Sequence, residues 1–295
     1  MKNFIVRTIT GVFFVAAIVV GFMNPQAMVA LFALVTGLTV WEFCGLVNDR
    51  PFVTVNRFIC TVAGVYFFFA MAYYCSDIYG GDAKSVVFIP YLVTIIYLLV
   101  AELYLQAKDP VNNWAYTMLS QLYIALPFSL LNVLAFTATP DGQVVFNTLL
   151  PLSVFIFLWV NDSGAYCVGS LLGRHKLFPR ISPGKSWEGS IGGALFVLLA
   201  AYGIGMVDNL QVADADHVIP LSRGMLSIPE WGGLGLVVVV FGTWGDLVES
   251  LFKRTLGIKD SGTILPGHGG MLDRFDSSLL AIPAAVVYLY TLTLV

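Results

Sequence analysis

A chain of 295 residues with 58% hydrophobic and only 11% charged side chains, and a mean hydropathy of +0.84, carries more apolar surface than a water-soluble domain can hide. This excludes an ordinary soluble enzyme and marks an integral membrane protein. The net charge of −3 is uninformative by itself, because a substrate meets the local distribution of basic residues and not their sum.

A membrane-spanning helix takes roughly 20 mostly apolar residues, and about nine such runs follow one another at 7–24, 26–46, 58–75, 86–106, 115–137, 144–160, 190–207, 232–250 and 277–295. Each is continuously apolar and lacks the period-two alternation of barrel strands, so the expected fold class is all-α. The first run begins like a signal peptide, with Lys2 and Arg7, but no small-residue cleavage site follows it, and it is read as a span. Lysine and arginine favour cytoplasmic loops. With a cytoplasmic N-terminus and nine spans, only Lys84 and Arg223 of the 15 lysines and arginines fall outside. The expectation is a polytopic protein of the inner, or cytoplasmic, membrane with its C-terminus outside. Cys44, Cys60, Cys75 and Cys167 show no paired spacing and read as free thiols.

The chain divides into an N-terminal set of about five spans, 1–145, and a C-terminal region, 146–295, that holds two polar cytoplasmic loops, 161–189 and 245–276. The external loop 208–231 has Asp208, Asp214, Asp216, His217 and Glu230 in no chemical pattern, and reads as a solvated connection. The first cytoplasmic loop, "NDSGAYCVGSLLGRHKLFPRISPGKSWEGS", opens with Asn161 and Asp162. Arg174 and Lys176 satisfy the topology rule without further meaning. "SPGKSWEG" carries more: Gly184 permits close backbone approach, Lys185 and Ser186 donate to phosphate oxygens, and Trp187 suits the headgroup level. Pro179 stands where a Walker A loop requires glycine, which excludes a P-loop ATPase.

The second loop continues the run "VVVVFGTWGDLVESLFKR". If that helix runs on, Asp246, Glu249, Ser250 and Lys253 share one face, and acids at a membrane helix end need a cation or metal beside them. Then comes "GIKDSGTILPGHGGMLDRFDS", residues 257–277, with Lys259, Asp260, His268, Asp273, Arg274, Asp276 and five glycines. Each residue has an ordinary alternative as a cap, a turn or a surface charge. Together, clustered aspartates with nearby cations suit a magnesium-bound phosphate. Glu42, Glu102, Asp162, Asp246 and Glu249 all fall in the cytoplasmic half of the expected topology. A transporter would place ionisable groups near the midplane.

Ser250, Lys253, Arg254, Lys259, Asp260, Gly262, Pro266, His268, Gly269, Gly270, Asp273, Arg274 and Asp276, together with "NDSGAY" and "SPGKSWEG", resemble the signature of phosphatidate cytidylyltransferases, also called CDP-diacylglycerol synthases. The resemblance covers roughly residues 150–280. It implies a helical, typically dimeric membrane enzyme of phospholipid biosynthesis that uses magnesium to transfer CMP from CTP to phosphatidate, giving CDP-diacylglycerol and pyrophosphate. On that basis Asp246, Asp273 and Asp276 are the expected metal ligands, with Lys259 and Asp260 beside them in the catalytic set and a second cation left open. Asp162, Lys185, Ser186, Ser250, Lys253, Arg254, His268, Gly269, Gly270 and Arg274 are the expected substrate contacts. The expected partners are CTP, phosphatidate and membrane lipid, with a second copy of the chain and no nucleic acid. Another CTP-using lipid enzyme, such as a polyprenol kinase, is the alternative.

Overall fold

The structure, a computed structural model, describes residues 2–77, 84–138, 143–213, 226–264 and 269–292. Among these, eight helices are long and apolar enough to cross a membrane, and a ninth apolar stretch, Thr8–Phe22, is shorter. The all-α polytopic expectation is met. The difference from nine full spans lies in the first run, which forms the C-terminal part of α1 (Lys2–Phe22).

Residues Met1–Phe146 and Thr255–Phe275 form one unit, and Asn147–Arg254 with Asp276–Val295 form another. In the first, α2 (Pro25–Asn48) and α3 (Arg57–Ser76) pack together. They are followed by α4 (Ile89–Leu105), α5 (Pro110–Leu119) and α6 (Leu126–Ala135). Between α5 and α6 the helix widens over Ser120–Ala125, where the Leu126 amide donates to the Gln121 carbonyl five residues back. Pro127, which has no N–H to donate, sits at the start of α6 and accounts for the shift in register. Buried hydroxyls are satisfied within their own helices: Thr36 donates to the Phe32 carbonyl at 2.6 Å and Thr39 to that of Val35 at 2.7 Å. An unpartnered polar group in hydrocarbon costs several kcal/mol.

The core of this unit is aromatic. Phe275, in the four-residue helix α10 (Leu272–Phe275), stands 5.3 Å from Phe128, 5.4 Å from Phe14 and 6.2 Å from Phe32, ring centre to ring centre. It is 1% exposed, and it anchors the end of the signature run among the N-terminal helices.

In the second unit, α7 (Leu149–Leu172) and α8 (Trp187–Ala213) form a helical hairpin. The polar segment 161–189 is therefore not a loop throughout, because α7 continues for three turns past the expected end of its span. Close packing explains the extension. A Cβ on Gly189 would stand 3.2 Å from the Gly169 Cα, so the two helices approach nearly backbone to backbone there. Only the segment between Leu172 and Trp187 leaves the helices. It forms an antiparallel pair, β3 (Lys176–Phe178) with β4 (Ser182–Ser186); β1 (Phe136–Ala138) and β2 (Val144–Phe146) make a similar pair in the first unit. Next comes α9 (Ile228–Thr255), which carries the Asp246 face on as one continuous helix, and α11 (Ser278–Leu292). Within 208–231, residues 214–225 lie outside the described residues; Asp208, expected in a solvated connection, is instead fully buried in α8 and accepts from Trp231 Nε1 at 3.1 Å.

Candidate active site

The β3–β4 hairpin is held by one carboxylate. Glu188, in the first turn of α8, accepts from the Arg174 amide at 3.1 Å and from the His175 amide at 3.1 Å, and its Oε1 lies 2.5 Å from His175 Nδ1. Ser186 is buried and accepts from the Gly189 amide at 3.2 Å, which caps the start of α8. The motif "SPGKSWEG" is thus a strand that turns into a helix, with Lys185 set at the join.

Lys185 Nζ reaches Asp246 Oδ2 of α9 at 2.5 Å. Ser250, one turn on, donates to Asp246 Oδ1 at 3.1 Å. A further pair follows on the same face: Lys253 Nζ lies 2.7 Å from Glu249 Oε2, and the Glu249 side chain is fully buried. Gly245 has no room for a side chain, since a Cβ there would stand 2.7 Å from the Asp276 carbonyl oxygen. The absence of a side chain lets α9 lie against the Asp276–Ser277 backbone. Asp276 consequently sits within electrostatic reach of Asp246, Asp162 and Lys253. Beside this cluster a cavity of about 510 Å³ is lined by Asp162, Tyr166, Lys176, Gly184, Lys185 and Ser186, among others. A Cβ on Gly184 would meet nothing within 4 Å.

The rest of the signature run belongs to the N-terminal unit. Asp273 Oδ2 accepts from the Ser261 and Gly270 amides, both at 2.8 Å, and so folds the glycine turn back on itself. Gly269 adopts a positive φ of 83° there, a conformation that glycine takes without strain. Lys259, Asp260 and Arg274 are exposed in this unit, as is Arg254 at the end of α9. His268 and Pro266 lie outside the described residues.

The structure brings Asp162, Lys185 and Ser186 to one cavity, with Asp246 joined to it by the lysine and Asp276 alongside. It also shows two residues whose roles the sequence reading did not assign. Glu188 organises the hairpin, and Glu42 of α2, 6% exposed, accepts from the Met271 and Leu272 amides at 2.9 and 3.0 Å. The signal for Glu42 was available: an acid inside an apolar run requires a partner.

Among the described residues no group of three or more acidic, histidine or cysteine side chains is placed to hold a metal ion. Magnesium usually takes only one or two carboxylates, completing its shell with water and substrate phosphates. The neighbouring carboxylates of Asp246 and Asp276 fit that donor chemistry.

Comparison with known sequences shows the family of the chain. The model of a family described as the cytidylyltransferase family matches residues 4–292. A phosphatidate cytidylyltransferase of Staphylococcus haemolyticus is 31% identical over 255 residues, which cover 85% of this chain and 89% of that protein. The enzyme of the same name from Haemophilus influenzae is 44% identical over 135 residues, covering 45% of this chain and 43% of the relative. One from Staphylococcus aureus is 43% identical over 132 residues, with 45% of each chain covered. In these last two alignments the chain spans less than half of the relative's length.

Proposed function

This chain belongs to the cytidylyltransferase family, and from that premise we propose that it transfers CMP from CTP to phosphatidate, giving CDP-diacylglycerol and pyrophosphate. The observation that carries the reading is the Lys185–Asp246 pair at the edge of the Asp162–Ser186 cavity. A cation and a carboxylate held 2.5 Å apart can each turn to a charged partner of opposite sign when a polyphosphate enters. The enzyme is an integral membrane protein, and its lipid substrate reaches it from the bilayer.

In the reaction a phosphate oxygen of phosphatidate attacks the α-phosphorus of CTP. A new P–O bond forms, the bond between the α-phosphorus and its bridging oxygen breaks, and pyrophosphate leaves with the electron pair. Two anions must meet, so their repulsion has to be offset before the atoms can align. Lys185 is positioned to bind the triphosphate, with Ser186 beside it at the start of α8. Lys253 supplies a second positive charge near Asp276, and Gly184 leaves space for phosphate to approach the β4 backbone. Asp246 and Asp276 would hold magnesium, and the ion would supply charge neutralisation at the phosphates; Asp273, whose carboxylate takes the Ser261 and Gly270 amides in the N-terminal unit, keeps the shape of the signature turn. The substrate brings its own nucleophile, so no covalent enzyme intermediate is needed.

The basic-residue asymmetry supports a cytoplasmic site in the inner membrane, and the family resemblance supports a homodimer. The test is purified protein in detergent with phosphatidate and CTP labelled at the α-phosphate, with and without magnesium. Labelled CDP-diacylglycerol with pyrophosphate, formed only with the metal, is the expected result. Labelled CDP and a newly phosphorylated lipid would identify a lipid kinase instead, and substrate flux without chemistry a transporter.

A further inference from the structure

We propose that Glu42 is a positioning residue for cytidylyl transfer: its buried carboxylate is the template on which the glycine turn of the signature run is folded. This rests on the reaction assigned above and extends it to a residue far away in sequence.

Glu42 lies in the last third of the apolar helix α2 and is buried, 6% exposed, so its charge is costly unless it is compensated. Among the described residues its hydrogen-bond donors come from Ser261, Met271 and Leu272 of the signature run. Oε1 accepts from the Ser261 hydroxyl and from the Leu272 amide at 3.0 Å, and Oε2 accepts from the Met271 amide at 2.9 Å. The Ser261 hydroxyl in turn accepts from the Asp273 amide at 3.3 Å, while Asp273 Oδ2 takes the Ser261 and Gly270 amides. One buried acid therefore fixes both ends of the turn and, through Ser261, the aspartate that closes it.

The glycines confirm how tightly the turn is drawn. A Cβ on Gly262 would stand 2.6 Å from Glu42 Oε2, and one on Gly270 would collide with both Oε1 and the Ser261 hydroxyl. Two signature glycines thus face a carboxylate of the same chain. Ser261, Gly262 and Glu42 also line a cavity of about 370 Å³, with Arg57 and Asp49 on its wall. Arg57 Nε donates to the Trp41 carbonyl at 2.6 Å with its guanidinium over the Trp41 ring, so Glu42 draws its hydrogen bonds from neutral donors.

Neutral donors make this carboxylate hard to replace. Glutamine keeps the shape but turns an NH₂ toward a site where amides and a hydroxyl already donate, so one of Ser261, Met271 or Leu272 loses its acceptor. Aspartate keeps the charge with a shorter reach. The turn carries Lys259, Asp260 and Asp273 with it, and displacement of such groups by about 1 Å lowers turnover by up to roughly a hundredfold.

The experiment compares Glu42→Gln, Glu42→Asp and Ser261→Ala as purified, folded protein. The expected result is a kcat lowered by about tenfold or more in Glu42→Gln, partial recovery in Glu42→Asp, an intermediate loss in Ser261→Ala, and KM for CTP changed by less than about threefold. Hydrogen exchange read on the same samples should quicken at the Met271 and Leu272 amides of Glu42→Gln, whatever reaction the enzyme catalyses. Wild-type kcat in Glu42→Gln, or activity of Glu42→Asp no higher than that of Glu42→Gln, overturns the proposal. Should Glu42→Gln not fold, Ser261→Ala decides: unchanged kcat in that variant is equally fatal. If wild-type protein makes no CDP-diacylglycerol, the assigned reaction fails, and unaltered exchange at 271 and 272 would then also dispose of the template.

Discussion

Two polar regions in this apolar chain hold buried or half-buried carboxylates by different means. In the α7–α9 unit Asp246 faces Lys185 and Glu249 faces Lys253, so each acid is matched by a side-chain cation. In the N-terminal unit Glu42 and Asp273 are matched by backbone amides and a hydroxyl. An ion pair between side chains can open and re-form around an incoming phosphate or metal. A carboxylate that gathers amide protons cannot leave without unfolding the turn it holds. The first arrangement suits groups that meet substrate, and the second suits groups that set the shape around it.

That contrast can be broken by experiment. The largest effect is expected from Asp246→Asn and Asp276→Asn, which keep shape and remove charge where magnesium would bind. Each should leave less than about a tenth of wild-type kcat, a loss above roughly 1.4 kcal/mol, with normal membrane insertion. A variant with more than that residual rate removes its residue from the metal set.

Next is the buried pair on α9. Glu249→Gln leaves Lys253 without its ion-pair partner in a buried setting and should lower stability by about 3 kcal/mol, read as a drop in Tm in detergent. Combining it with Lys253→Met should restore most of that stability. If the double variant also turns over normally, Lys253 serves packing alone; if it is stable and slow, its charge serves the reaction.

Lys185→Arg should insert correctly, because topology counts charge, yet raise KM for CTP about tenfold, since a planar guanidinium does not reproduce a compact ammonium in a confined site. Wild-type kinetics would reduce Lys185 to a topological charge. The mildest change is Gly184→Ala. No protein atom lies within 4 Å of the added Cβ, so Tm should stay within about 2 °C, while kcat/KM falls about fivefold if phosphate approaches that backbone. Unchanged kinetics would show that the open space at Gly184 is not used.

Topology provides an independent check on where both regions face. A cysteine label at position 217 should react from outside, and one at position 180 from the cytoplasm. Cytoplasmic labelling at 217 would undo the basic-residue argument.

Hydropathy alone determined that this chain is a helical membrane protein, because the cost of exposing backbone polar groups to lipid leaves continuous apolar runs no other form. Charge and glycine spacing in residues 257–277, with "SPGKSWEG", carried the family resemblance, since those residue types have few uses beside a membrane. The α9 face was legible too, as Asp246, Ser250 and Lys253 follow helical spacing. The end of α7 was not: polar Asn161 and Asp162 suggested an exit from the membrane, and only packing against α8 carries the helix on to Leu172. Nor could spacing reveal that Lys185 pairs with Asp246 or that Glu42 holds residues 271 and 272, more than two hundred positions away. Periodicity reports which residues share a face of one element; which faces meet is decided by packing and by the need of each buried carboxylate to find donors, and that is settled only in three dimensions.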